Sequence, residues 1–229
     1  MFASFARIAQ LALAASLAAA TLTATAQSFP GRPMRIIVGP GLDVVARALA
    51  QKLTLAFKEQ VIIEQLPGAG GLIAAQTAAR ATPSGHTLLF TTGAFVINDV
   101  LRKEGAVSVL REFEPVVHVG VGPGLLYGHA QIKAANLIEL RKHIEANPNT
   151  MNCASSGIGT PAHLGCEMLR TYGKLAVEHV PFNGVAPAML DVMAGRAQMM
   201  FGLSNATYIN DQRLRVFAVT TRERLPAFP

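Results

Sequence analysis

The sequence is poor in the residues that build nucleic-acid surfaces. It has no tryptophan and three tyrosines in 229 residues, and charged residues make up only 15% of it. A platform on which bases stack needs aromatic side chains, so this composition argues against one. Lysine and arginine exceed the acids by six, yet no run of them is longer than two. Such dispersed charge indicates a mildly basic protein without a nucleic-acid partner.

Motifs for catalysis are also missing. No serine lies in a G-x-S-x-G elbow, and no H-E-x-x-H pattern is present. The acids Asp43, Glu64, Glu167 and Asp191 are isolated along the chain. His163 and Glu167 are four residues apart, a spacing that an exposed ion pair on one helix explains. We therefore predict that the protein is not an enzyme and holds neither a metal nor a cofactor.

The two cysteines, Cys153 and Cys166, leave two alternatives open. No histidine stands beside them in a spacing typical of a metal site. An exported protein meets oxidants, which would join the two cysteines in a disulfide. Two small, buried and reduced side chains explain them equally well.

The start of the chain has the pattern of an export signal. Arg7 supplies a positive region, Ile8–Leu22 is rich in alanine and leucine, and Ala24–Ala26 is a small-residue cleavage site. A membrane anchor is the alternative, but this apolar run is shorter than the roughly 20 residues that a span needs. We predict residues 1–26 to be a signal peptide that is cleaved after Ala26. Without Arg7, the net charge of +6 becomes 6 − 1 = +5.

Strand-like and helix-like segments alternate through the rest of the chain, which predicts a mainly parallel α/β sheet. Strands are predicted at Met34–Val38, Val61–Glu64, Thr87–Thr92, Pro115–Val119, Leu125–Gly128, Met151–Ala154, Glu178–Val180, Ala197–Phe201 and Arg215–Val219. Helices are predicted at Asp43–Phe57, Ile73–Ala81, Leu137–Ala146, Pro161–Tyr172, Ala186–Ala194 and Ser204–Asn210.

The loop between the predicted strand at Met151–Ala154 and the next helix is the best candidate for a binding site. Gly157 and Gly159 allow a sharp turn and a close approach of the backbone to a ligand. Thr160 suits the N-cap and Pro161 the first helical position. Because a helix N-terminus carries unpaired N–H groups and partial positive charge, this loop is expected to bind a carboxylate.

Four segments in order carry a family resemblance. They are Met34–Val38 with Asp43–Leu49, Pro67–Gly71, Ala154–Thr160 with His163 and Leu164, and His179–Gly184 with Ala186 and Pro187. Together they resemble the tripartite tricarboxylate transporter receptor family, also called the Bug family of periplasmic solute-binding proteins. The resemblance extends from Phe29 to Leu225.

The resemblance implies a periplasmic monomer with two α/β lobes that close on a small carboxylate like a flytrap. The implied boundaries are 27–113 for the first lobe, 114–220 for the second lobe and 221–229 for a segment that returns to the first. The implied partners are a small-molecule carboxylate and the membrane components of a tripartite tricarboxylate transporter.

The resemblance also places the binding residues in two loops and their surroundings. In the first loop, Gly41 is expected to turn and Asp43 to cap the following helix. In the second loop, the implied contacts are Ser155, Ser156, Gly157, Gly159 and Thr160. His163, Asn183 and Thr92 complete the set. A structural histidine would explain His163 as well, and turn chemistry would explain Asn183.

Two departures from the family leave other functions open. The first loop is about four residues shorter than in family members, and the chain stops at Pro229, so the first lobe is expected to be incomplete. A degenerate remnant that binds nothing would explain both departures. An exported α/β enzyme is a further alternative, which a serine-reactive probe on Ser156 would test.

Overall fold

Two β-sheets organise the part of the chain that the computed structural model describes, residues 29–101 and 108–225. The predicted signal peptide, 1–26, lies outside these residues. Phe29–Arg32 belong to a unit separate from the chain that begins at Pro33. None of the described helices has both the length and the apolar character that crossing a membrane requires.

The first sheet is formed by two βα units in which the strands are parallel. Its strands are β1 Met34–Val38, β2 Val61–Gln65 and β3 Thr87–Phe90, in the order β2-β1-β3. Helices α1 Asp43–Phe57 and α2 Leu72–Ala79 connect them, and a 3-10 turn, Ala69–Gly71, precedes α2. The central strand β1 is buried on both faces, with Ile36, Ile37 and Val38 at most 1% exposed, as its run of β-branched residues predicts.

Two helices follow this sheet where the sequence patterns predicted none. They are α3 Ala94–Leu101 and the short α4 Val109–Glu112. The strand predicted at Pro115–Val119 is wrong: no ladder in the described chain includes residues 113–123. Val116 and Val117 are 74% and 75% exposed. Their β propensity produces no strand because no other strand lies beside them to complete the backbone hydrogen bonds.

The second sheet has five strands and a mixed arrangement. Its strands are β4 Gly124–His129, β5 Met151–Ser155, β6 Val177–Pro181, β7 Met199–Leu203 and β8 Leu214–Val219, in the order β6-β5-β7-β4-β8. Strand β5 is parallel to β6 and β7, whereas β4 is antiparallel to β7 and β8. Four helices accompany the strands: α5 Leu137–Ala146, α6 Pro161–Thr171, α7 Val185–Met193 and α8 Ala206–Ile209.

Both faces of the second sheet are covered by apolar side chains. Leu140, Ile144 and Met199 belong to one buried cluster, and Met189 and Met200 to a second. A disulfide joins Cys153 on β5 to Cys166 on α6, so the first of the two alternatives for the cysteines holds. This bond ties the strand that enters the candidate loop to the helix that leaves it.

Candidate functional site

The candidate loop runs from the end of β5 to the start of α6 and has the predicted helix start. Thr160 is the N-cap, and its Oγ1 accepts a hydrogen bond from the N–H of His163 at 3.3 Å. Pro161 is the first helical residue. Gly157 and Gly159 have φ angles of +128° and +80°, which residues with a Cβ rarely adopt. The glycines are therefore required by the course of the chain.

Most of the polar groups of this loop bond within the loop. The N–H of Gly157 donates to Ser155 Oγ at 3.2 Å, and the N–H of Gly159 donates to His163 Nδ1 at 3.2 Å. The Thr160 hydroxyl donates to the Gly157 carbonyl at 2.6 Å. Within the described chain, the Ser156 hydroxyl has no hydrogen-bond partner, although Ser156 is only 7% exposed. Of the expected contacts in this loop, Ser156 is therefore the side chain that remains available to a ligand.

The backbone of the loop lies close to residues that belong with the first sheet, namely Gly70 and Asn98. A methyl group on Gly157 would lie 3.5 Å from the backbone nitrogen of Gly70, and one on Gly70 would overlap the Ile158 carbonyl oxygen. A methyl group on Gly159 would lie 2.5 Å from Asn98 Oδ1. The mouth of α6 thus meets the 3-10 turn and α3 directly, and glycine on both sides makes this approach sterically possible.

Asn98 on α3 connects the two sides, and sequence patterns gave no signal for it. Its Nδ2 donates to the carbonyls of Ala94 at 2.8 Å, Gly70 at 3.2 Å and Gly159 at 3.4 Å. The residue is 3% exposed, and within the described chain its Oδ1 is buried without a partner. A buried, unsatisfied carbonyl oxygen is costly, so this amide is held in place by what its other end binds.

The first predicted loop approaches α7, a helix that packs against the second sheet. The residue at the N-cap of α1, which follows this loop, is not the expected one. Gly41 has φ +95°, and a methyl group there would lie 3.4 Å from Val185 Cγ2 on α7. The prediction that Asp43 caps α1 is wrong, because Leu42 occupies the cap position. Asp43 lies inside the helix, where its Oδ1 accepts from Arg47 Nε at 3.0 Å.

The remaining predicted residues, Thr92 and Asn183, lie at the starts of helices. Thr92 Oγ1 accepts from the N–H of Ala94 at 3.1 Å and so begins α3, the helix that carries Asn98. Asn183 is exposed in the turn before α7. Turn or helix formation accounts for each of these two positions.

A cluster that the sequence did not predict lies behind the candidate loop. The side chains of His163, Glu167 and His179 offer ligand atoms that all lie within 4.8 Å of one another. The two imidazole rings are 4.4 Å apart, and His163 Nε2 lies 3.9 Å from Glu167 Oε1. Arg170 Nε donates to the other carboxylate oxygen at 3.0 Å. A depression on this side of the sheet is lined by Asn149, Glu167, Arg170, Val177, Glu178 and His179.

The chemistry of the cluster does not fit a resident metal ion. A backbone N–H can only donate, so the bond from Gly159 requires a lone pair on His163 Nδ1. The proton of the neutral ring is then on Nε2, the nitrogen that faces Glu167. A metal on Nε2 would need that nitrogen deprotonated and would cost the bond to Gly159. The nearby guanidinium of Arg170 further opposes a cation.

Within residues 29–101 and 108–225, the arrangement most similar to a catalytic one is a buried serine–histidine pair. Ser155 Oγ lies 2.7 Å from His179 Nε2, but Ser155 is 0% exposed. Burial lowers the pKa of His179, the nearby His163 lowers it further, and Glu167 opposes both effects. A nucleophile must reach its substrate, and Ser155 is sealed behind the loop. The pair instead anchors the end of β5 to β6.

Two α/β halves that meet at the mouth of a helix define the class of two-lobed binding-protein folds. We call residues 33–101 around the first sheet the first lobe, and residues 124–219 around the second sheet the second lobe. Residues 45–229 match the family described as "Tripartite tricarboxylate transporter family receptor". The chain belongs to this family of receptors, as the sequence resemblance predicted.

Relatives and solved structures agree with this membership. A UPF0065 protein of Bordetella pertussis is 34% identical over 98% of this chain and 71% of its own length. The structure of periplasmic binding protein BugD is 28% identical with a TM-score of 0.77, over 86% of this chain and 68% of BugD. MatC of Rhodopseudomonas palustris with bound malate is 26% identical with a TM-score of 0.78, over 86% of this chain and 69% of MatC. The chain spans about two thirds of the length of such relatives.

Proposed function

We propose that this protein is a periplasmic receptor that captures a small organic carboxylate between its two lobes. The bound acid would pass to the membrane components of a tripartite tricarboxylate transporter. Family membership supports the class of protein, and the malate bound to MatC supports the class of ligand. The export signal predicted in residues 1–26 supports the periplasmic location. We also propose that the lobes named above extend beyond their sheets, to boundaries of 27–113 and 114–220.

The observation that carries the proposal is the mouth of α6 facing the first lobe. A helix of 11 residues directs its positive end at this contact, and an anion placed there is stabilised by the helix dipole. Ser156 is the best-placed hydroxyl because nothing in the described chain occupies it. A ligand needs the lobes to part at Gly70 and Asn98, which is the motion that a two-lobed receptor makes.

The other predicted contacts differ in how far their polar groups are free to bind a ligand. Gly157, Gly159 and Thr160 shape the loop, and their bonds within it favour a supporting role. Gly41 approaches Val185 of the second lobe, Thr92 begins the helix that carries Asn98, and Asn183 lies in the turn before α7. Asp43 pairs with Arg47, and its charge would repel a carboxylate. We therefore assign ligand contact chiefly to Ser156 and the backbone around it.

In this proposal, the protein binds its ligand and does not catalyse a reaction on it. Ser155, the serine with a histidine partner, is buried. A serine-reactive fluorophosphonate probe is expected to leave Ser155 and Ser156 unlabelled. Labelling of either residue that heat denaturation abolishes would revive the enzyme alternative.

The direct test is a thermal-shift screen of the purified protein against malate, succinate, citrate and benzoate, followed by titration calorimetry. A ligand at 100 times its Kd stabilises the native state by about 2.7 kcal/mol, which appears as a higher melting temperature. Cooperative melting without a shift for any acid, and without heat in the titration, would overturn the proposal and favour the remnant that binds nothing.

A matched pair of serine variants locates the site. Replacing Ser156 with alanine should weaken carboxylate binding about tenfold or more, because a hydrogen bond to a charged group contributes about 1.5–3 kcal/mol. Ser204→Ala, at an exposed serine of the second lobe, is the control and should bind like the unaltered protein. Equal affinities in all three proteins would remove Ser156 from the site.

A further inference from the structure

A continuous polar chain runs from helix α6 across the loop into the first lobe. His163 Nδ1 accepts the N–H of Gly159 at 3.2 Å. The carbonyl of Gly159 accepts from Asn98 Nδ2 at 3.4 Å, and the same amide donates to the Gly70 carbonyl at 3.2 Å. The N–H of Gly159 bonds to the His163 imidazole, and the carbonyl of Gly159 bonds to Asn98. Gly159 therefore couples the protonation state of His163 to the contact between the lobes.

The direction of the first bond fixes the protonation state of His163. The donor is a backbone N–H, so Nδ1 must present its lone pair, and the ring must be neutral with its proton on Nε2. A second proton would have to occupy the same lone pair. Nδ1 would then become a donor that faces another donor, and the bond to Gly159 would be lost. The proton and the Gly159 amide thus compete for one site.

The charged and titratable groups around His163 come from two elements. On α6, Glu167 lies 3.9 Å away, and its other oxygen is engaged by Arg170. On β6, His179 stacks obliquely at 4.4 Å, and Glu178 lines the neighbouring depression. Burial lowers the pKa of His179, and the nearby His163 lowers it further. Glu167 offers the charge that a protonated His163 would turn towards.

We propose that His163 is a positioning residue whose neutral imidazole holds Gly159 against Asn98, and that protonation of His163 releases this contact between the lobes. The contact itself can be tested without any ligand. Its consequence rests on the proposed function: an acid captured between the lobes would be held less tightly as the pH falls. The glycine at 159 suits the device, since its φ of +80° is one that residues with a Cβ rarely adopt.

The test is hydrogen exchange of the Gly159 amide by NMR at pH 8 and pH 5, corrected for the intrinsic exchange rate. In the unaltered protein, protection should fall about tenfold or more at pH 5 because the local contact opens. His163→Asn places an amide oxygen where Nδ1 stood, so protection should persist at both values. His163→Ala should be unprotected at both. His143→Asn, on α5, is the control and should behave like the unaltered protein.

Each outcome decides the proposal. The proposal would be overturned if the Gly159 amide of His163→Asn also lost protection at pH 5. It would equally be overturned if protection in the unaltered protein did not change with pH. The amide of Cys153 in the second-lobe core reports whether each variant is folded; if His163→Ala unfolds, His163→Asn still decides. Malate titrations at both pH values then separate the two proposals: no binding at either pH counts against the receptor, whatever Gly159 shows.

Discussion

The two lobes begin from the same parallel βα pattern, but the second is much more thoroughly packed. Its sheet of five strands has a buried cluster on each face, and Tyr127, Met199 and Met200 are 0% exposed. The first lobe has three strands and one cluster of seven buried residues around Ile36. We therefore expect the second lobe, which carries the loop before α6, to be the more rigid side of the candidate site.

The first lobe also exposes large apolar side chains on its surface. Large apolar side chains of the first lobe stand open on α1 and α3, where Leu55 is 80% exposed and Val100 is 73% exposed. The extended residues that follow include Val121, which is 88% exposed. Since stability within a protein follows buried apolar contact, we expect the first lobe to open first. Binding-induced ordering should then be greatest in the first lobe.

Truncating a side chain in the second-lobe core should lower the stability of the protein most. Met199→Ala removes a fully buried side chain and should lower the free energy of unfolding by about 2–5 kcal/mol. Ile36→Ala is the matched change in the first lobe and should lower only the stability of that lobe. Urea titration followed by hydrogen exchange measures both. If Ile36→Ala unfolds the second lobe equally, the lobes form one cooperative unit and the comparison fails.

Removing the disulfide should destabilise only the second lobe. Cys153 and Cys166 are 13 residues apart, and a closed loop of about this length contributes about 3 kcal/mol. The double variant Cys153→Ala with Cys166→Ala should therefore unfold earlier in urea, while amides of β1 exchange as before. Unchanged stability of the second lobe would show that packing alone holds β5 to α6.

Glycine variants test the contact between the lobes. Gly70→Ala should separate the lobes, because its methyl group would overlap the Ile158 carbonyl, and small-angle X-ray scattering should report a larger radius of gyration. At Gly184, which also has a positive φ of +123°, an added methyl group would meet only Pro187 Cδ at 3.9 Å, so Gly184→Ala controls for backbone strain. Gly93→Ala has neither constraint and controls for the substitution itself. Equal radii in all three variants would contradict the contact.

The smallest expected effect is a dependence of stability on pH. The pKa of His179 is lowered below its ordinary 6.5 in the folded protein. Its neutral form therefore stabilises the fold fully above pH 6.5, and that contribution is lost as the pH falls through the lowered pKa. The urea midpoint of unfolding should decrease as the pH is lowered from 8 to 5, and it should decrease less steeply in His179→Asn. An identical slope in the variant would assign the dependence to other groups.

Local signals in the sequence predicted much of the fold. The ranges of α1 and α5 agree with the expected helices, because their apolar spacing and their ends are set by nearby residues. Thr160 and Pro161 marked the start of α6 for the same reason. Prediction succeeded where the deciding contacts lie within one turn of the chain.

Features set by distant contacts could not be predicted in this way. Asn98 matters because Gly70 and Gly159 approach it from 28 and 61 residues away, and no local pattern signals that. His179 joined the cluster with His163 only through the pairing of β5 with β6. The strand expected at Pro115–Val119 failed for the converse reason, since its local pattern has no partner in the described chain.

We propose above that a carboxylate binds between the loop before α6 and the first lobe. Hydrogen–deuterium exchange with and without malate, or whichever acid of the panel raises the melting temperature, tests it most directly. We expect residues 67–71 of the first lobe and 155–160 of the second to gain protection together. Protection confined to the second lobe, or centred on the depression beside Glu167 and His179, would contradict it.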